Sequence, residues 1–185
     1  MNDERKLILK YSITGVILIS AAGTLAHFIY DWTGGNPVIG LVTAVNESTW
    51  EHRKLIFFPM IIYYIFIWIV IRRRIYAALP ALLIATLAGT CLIPVLFYTY
   101  TGILGYMITA VNLIIYYVCV IASFIIFYLL STRTTMKEVS IILYIIIVLF
   151  ICMFFMFTYN PPGLGIFIDP TAENSVMSHV HPATW

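Results

Sequence analysis

Three groups of acids and histidines stand out in this 185-residue chain. The first is His27-x-x-x-Asp31, a spacing that puts both side chains on one face of a helix. An imidazole and a carboxylate so placed suit a metal ligand pair, or a carboxylate that orients an imidazole for acid–base work. The bland reading is a histidine satisfied by its own helix. The second group is Asn46-Glu47-Ser48-Thr49-Trp50-Glu51-His52, which supplies two carboxylates and an imidazole. Those donors match hard-to-borderline metal ligation, although their spacing matches none of the usual zinc signatures. Structure accounts for part of the segment: Ser48-x-x-Glu51 reads as a capping box, and both acids suit the positive end of a helix dipole. Capping leaves His52 unexplained. Asn46-Glu47-Ser48 also fits a glycosylation sequon. The third group lies in the tail, with Asp169, Glu173 and His179-Val180-His181.

Together these residues predict a polar pocket in which His27, Asp31 and His52 are candidate metal ligands. Glu47 and Glu51 are the candidate catalytic groups, as general base or further ligand. Asn112, Asp169, His179 and His181 are supporting candidates. The expected cofactor is a divalent metal such as zinc, and the expected chemistry is metal-assisted hydrolysis of a lipid-borne or membrane-accessible substrate. Two rival readings use the same chain differently. A small-solute transporter or channel would use kinks at Pro59 and Pro94 and the polar groups of Thr90 and Asn112. A non-catalytic binding or assembly subunit would use the acids and histidines only to cap helices and tie down the tail.

The elements that must carry these residues follow from composition. The chain is 62% hydrophobic and only 10% charged, against about 45–50% and about 25% in soluble domains. Too few charges remain to cover a soluble surface, so an all-α integral membrane protein is expected, with the lipid bilayer as its surroundings. The net charge of +2 excludes a nucleic-acid surface, which needs clustered excess cations. Five stretches meet the requirement of about 20 apolar residues per span: 7–30, 49–74, 75–98, 107–131 and 139–159. They form a single domain, 1–185, with an extracytoplasmic tail, 160–185. The first span runs too far past Ser20-Ala21-Ala22 to be a cleaved signal peptide.

Basic residues set the expected orientation. Arg5, Lys6, Lys10, Arg72, Arg73, Arg74, Arg133 and Lys137 fall on one side, and only Arg53 and Lys54 on the other. The positive-inside rule then puts the N-terminus in the cytoplasm and the C-terminus outside. All four histidines fall at or beyond the outer ends, with Asp31, Glu47, Glu51, Asp169 and Glu173. No Asp, Glu, Lys or Arg falls in the middle of a span, which argues against a carboxylate relay or voltage sensor. Cys91, Cys119 and Cys152 fall within spans and are expected to be buried structural thiols rather than disulfide partners. The tail carries Ile166, Phe167, Ile168, Val176, Met177 and Trp185, too apolar to remain in water. It is expected to fold back over the outer helix ends.

The run Asn46 to His52, followed by Phe57-Phe58-Pro59, resembles the signature of an uncharacterised family of small prokaryotic membrane proteins. His27-Phe28-Ile29-Tyr30-Asp31-Trp32 and Pro161-Pro162…Phe167-x-Asp169-Pro170 are similar to further parts of that pattern. The resemblance covers most of the chain and implies five spans, and with them a prokaryotic plasma-membrane location. It implies no reaction. A homo-oligomer and a lipid or small molecule at the outer face are the expected partners.

Overall fold

The computed structural model describes residues 3–71, 77–131 and 140–172. Its helices are α1 (Asp3–Trp32), α2 (Pro37–Gly40), α3 (Thr49–His52), α4 (Lys54–Ile71), α5 (Ala78–Leu104), α6 (Thr109–Ser131) and α7 (Ser140–Tyr159), followed by a 3₁₀ turn, Gly165–Phe167. Arg53 joins α3 to α4 with helical backbone angles (φ −64°, ψ −28°), so the two run as one rod. Among the described residues, five helices are long and apolar enough to cross a membrane: Asp3–Trp32, Thr49–Val70, Ala78–Leu104, Thr109–Ser131 and Ile141–Tyr159. The expected spans thus match in number and order, and α5 runs six residues beyond its expected end at Tyr98. Arg72, Arg73, Arg74, Arg133 and Lys137 lie outside the described residues.

The bundle is apolar on its outside. Ile17, Ile62, Val95, Ile114 and Ile142 are all exposed, and α4 and α7 are hydrophobic on every face, as suits a lipid solvent. Helices α1, α4, α5 and α6 share one core around Ile56, Met60, Ile67, Leu82, Val120 and Phe127. Helix α7 packs on α5, and a second cluster joins Phe57, Leu83, Leu143, Ile147 and Phe154. Small residues bring the backbones together. A Cβ on Gly23 would stand 2.0 Å from the Tyr116 hydroxyl and 2.4 Å from the Leu55 carbonyl oxygen. At Gly89 it would stand 2.0 Å from the Ser123 hydroxyl.

Proline supplies the next contacts, because it has no N–H to give the carbonyl four residues before it. Pro59, inside α4, leaves the Leu55 carbonyl without that donor, and this is the carbonyl against which Gly23 of α1 packs. Pro94, inside α5, does the same for Thr90, whose carbonyl accepts a 3.2 Å bond from Arg53 Nε. The Arg53 guanidinium lies over the rings of Trp50, Phe150 and Phe154, at 4.9, 5.5 and 6.0 Å.

The burial of Arg53 and Lys54 goes beyond what the count of outer charges predicts. Arg53 is 8% exposed and Lys54 is fully buried. The Lys54 ammonium donates to Glu51 Oε2 (2.6 Å), Thr158 Oγ1 (2.6 Å), the Gly40 carbonyl (2.9 Å) and the Thr43 carbonyl (3.4 Å). One cation ties α3, α4, α7 and the segment around α2. The thiols differ from expectation too: Cys119 is buried, but Cys91 and Cys152 are exposed on the bundle's flank, and all three are free.

Breaking a buried ion pair leaves one charge uncompensated at a cost of about 3–5 kcal/mol. Lys54→Met is therefore expected to lower unfolding stability by that order in detergent. The double change Glu51→Gln/Lys54→Met, which leaves no charge behind, should cost less than Lys54→Met alone. Equal losses in a thermal or denaturant titration would contradict the buried pair.

Candidate metal centre

The turn that begins the second span builds the centre. Ser48 has extended backbone (φ −65°, ψ 150°), and its hydroxyl accepts the Glu51 N–H at 3.3 Å, capping α3 as the sequence predicts. The reciprocal half of the capping box is replaced. The Ser48 N–H donates to Asn46 Oδ1 (2.9 Å), while the Glu51 carboxylate turns to Lys54 and accepts the Val45 N–H (3.1 Å). Glu51 is 3% exposed and committed to that pair. It is thus directed away from the role of general base that its position in the sequence suggests.

Glu47 stands one residue ahead of the cap and is fixed through its backbone, with its N–H donating to Asp169 Oδ2 at 3.1 Å. Its carboxylate lies between two imidazoles. Oε1 is 3.5 Å from His27 Nε2 on α1, and Oε2 is 3.4 Å from His52 Nε2 on α3. The two rings stand 5.3 Å apart between centroids. Ligand atoms of His27, Glu47 and His52 all fall within 4.8 Å of one another. Tetrahedral zinc with bonds of about 2.0–2.2 Å separates its ligand atoms by roughly 3.4 Å, close to both histidine–carboxylate distances.

Tautomers sharpen this geometry. His52 Nδ1 lies 3.0 Å from the Ser48 carbonyl oxygen. A carbonyl only accepts, so the proton sits on Nδ1, and a neutral His52 presents the Nε2 lone pair to Glu47. Two such acceptors 3.4 Å apart call for a proton or a metal cation between them. The Nδ1-to-carbonyl bond is also the outer-shell contact that orients metal-bound histidines. His27 Nδ1 is buried and has no hydrogen-bond partner among the described residues.

Two spaces adjoin the centre. The smaller, about 30 Å³, is lined by Glu47, His52, Asn112 and Tyr116 with apolar neighbours, and has room for about two waters. The larger, about 330 Å³, adds His27, Thr24, Phe28, Leu113 and Tyr117 and lies between α1 and α6. Asn112, singled out from sequence, lines both. Its Oδ1 accepts from the Tyr100 hydroxyl, which in turn accepts the Ile108 N–H at 3.3 Å.

The other candidates separate. Asp31 is exposed and outside the converging group, because four residues of helix carry it about 6 Å beyond His27 along the axis. Asp169 reaches the centre only indirectly, through the Glu47 backbone, as the apolar tail suggested. Phe167 brings it there, its ring centred 4.7 Å from that of Trp50 and, edge-on, 5.4 Å from that of Phe157. Glu173, His179 and His181 lie outside the described residues. In the sequon, Ser48 is 1% exposed and its hydroxyl serves the cap. Tyr100, Tyr116 and Tyr117 were missed, since nothing in the sequence separates them from the other tyrosines.

A profile for the family of unknown function DUF6512 matches residues 1–175. The chain belongs to that family. No curated protein and no solved structure matches it.

The tail contact of this DUF6512 chain responds to acid. Partial burial raises the Asp169 carboxyl, but bonds from the Thr171 side chain and backbone and from the Glu47 N–H outweigh it, leaving the group below the ordinary 3.8. A depressed carboxyl stabilises the folded form above its unfolded pKa and loses that contribution as pH falls through the folded value. The Glu47 amide resonance is therefore expected to titrate with a midpoint below 3.8, and Asp169→Asn should abolish that titration. A midpoint above 3.8 would contradict the contact.

Proposed function

We propose that this chain is an integral membrane protein that binds one divalent transition metal, zinc foremost, through His27, Glu47 and His52. The carrying observation is the pair of acceptors at His52 Nε2 and Glu47 Oε2, 3.4 Å apart, with the His52 proton held at Ser48. Two histidines and a glutamate are a donor set of catalytic zinc, which keeps a fourth position for water or substrate. The adjoining 330 Å³ space suits that position. Metal-bound water is a nucleophile near neutral pH, and hydrolysis of a lipid-borne substrate is the activity this arrangement supports. Basic residues at the start of α1 (Arg5, Lys6, Lys10) favour a cytoplasmic N-terminus, which would put the centre on the extracytoplasmic side. Fully buried Met60, Ile67, Leu82 and Phe127 fill the bundle away from the centre, which favours a pocket over a pore through one chain.

The test is metal content after purification, chelation and reloading. Zinc should bind at one equivalent per chain and fall to background in His27→Ala/His52→Ala. Glu47→Gln should weaken binding about tenfold or more, on the scale of one lost ligand interaction. Background metal in the unaltered protein after reloading would overturn the reading.

A further inference from the structure

The 330 Å³ space beside the centre has in its wall Asn112, whose amide N–H groups have no partner among the described residues. The chain of bonds runs one way. The Ile108 N–H fills an acceptor site on the Tyr100 hydroxyl, whose single proton then goes to Asn112 Oδ1. The Asn112 oxygen is thereby turned to Tyr100, which lines neither space described above, while Asn112 itself lines both. Of the hydroxyls that line the larger space, Tyr116 donates to the Ile19 carbonyl at 2.7 Å and Tyr117 pairs with Thr24 at 3.2 Å, while Thr109 is exposed at the start of α6. From this geometry we infer that Asn112 Nδ2 holds the carbonyl oxygen of a neutral amphiphile, whose apolar chain leaves sideways between α1 and α6.

Three observations fix the chemical class. The donor is an uncharged amide, which suits a carbonyl oxygen. The cations nearest in sequence to His52 are unavailable to a phosphate, because Arg53 is turned to Thr90 and Lys54 to Glu51, and neither lines the space. The rim carries exposed apolar side chains, Phe28 of α1 at 46% and Leu113 of α6 at 51%. Both helices are long and apolar enough to span a membrane, so the gap between them opens on the flank of the bundle, where an acyl or alkyl chain is at home. Binding at this wall would place the carbonyl carbon beside the metal, so the inference rests on the metal reading and names its substrate class. Asn112 would be a specificity-determining residue and Tyr100 a positioning residue.

The test uses the full chain in nanodiscs, zinc-loaded and zinc-free, in equilibrium dialysis with N-octylacetamide, octyl phosphate and octanol, each corrected for empty nanodiscs. N-octylacetamide should bind saturably, and about tenfold tighter than either alternative. Asn112→Leu should weaken it roughly five- to tenfold, the scale of one hydrogen bond, with zinc content unchanged. Tyr100→Phe, which frees the carboxamide to rotate, should weaken it about two- to threefold and serves if the Leu variant does not fold. Octyl phosphate binding tighter than the amide would overturn the inference, as would amide binding unmoved by both substitutions while zinc stays at one per chain. Amide binding that is lost in Asn112→Leu but indifferent to zinc would overturn the placing of the carbonyl beside the metal, and zinc at background in the same samples would overturn the metal centre itself.

Discussion

A fully buried ammonium organises the end of the bundle where the chemistry lies. Lys54 brings one cation to a carboxylate, a hydroxyl and two backbone carbonyls that come from three separate pieces of chain. Desolvating such a charge is expensive, and the cost is offset only when every donor has a partner. The position of Thr158 on α7 and the turn around Gly40 are thus set by the same group. So is the direction of Glu51. Because Lys54 claims that carboxylate, the neighbouring Glu47 is the acid left to face the two histidines.

The contrast between Glu47 and Glu51 shows how a short motif can hold two opposite environments. Both acids precede or begin the same helix, four residues apart. Glu51 sits inside, neutralised by a lysine. Glu47 sits in the loop, its backbone pinned by Asp169 and its side chain free to reach His27 and His52. The pinning comes from the far end of the chain. Phe167, seated against Trp50, delivers an Asx-type turn in which Asp169 also accepts from the Thr171 N–H and hydroxyl. The geometry of the centre is therefore maintained by the tail as much as by the helices that carry its ligands.

Hydropathy made the five long helices legible, and Ser48 marked the start of α3 to the residue. The same pattern could not tell that Arg53 and Lys54 are buried, because charge counting assigns a side of the membrane and carries no information on depth. Their acceptors come from Gly40, Thr43, Thr90 and Thr158, positions that carry no signal of proximity. His27 and His52 were visible as chemistry-bearing residues, yet their meeting depends on how closely α1 approaches α4 at Gly23. Asp31 looked equivalent to a ligand on helical periodicity alone, which gives the face of a residue but not its depth. The tail was readable as a cover, since its apolar residues need somewhere to go. That Asp169 would bind a backbone amide rather than a metal was not.

The prolines of α4 and α5 carry a consequence for how this sequence can vary. Pro94 leaves the Thr90 carbonyl open, and Arg53 fills it from another helix. Neither residue makes sense without the other: a helix-forming residue in place of Pro94 would reclaim the carbonyl, and a shorter side chain in place of Arg53 would strand it. Changes at these two positions, 41 residues apart, should therefore travel as a pair through related sequences. A proline and an arginine would then co-vary without touching, linked by a backbone oxygen that belongs to neither.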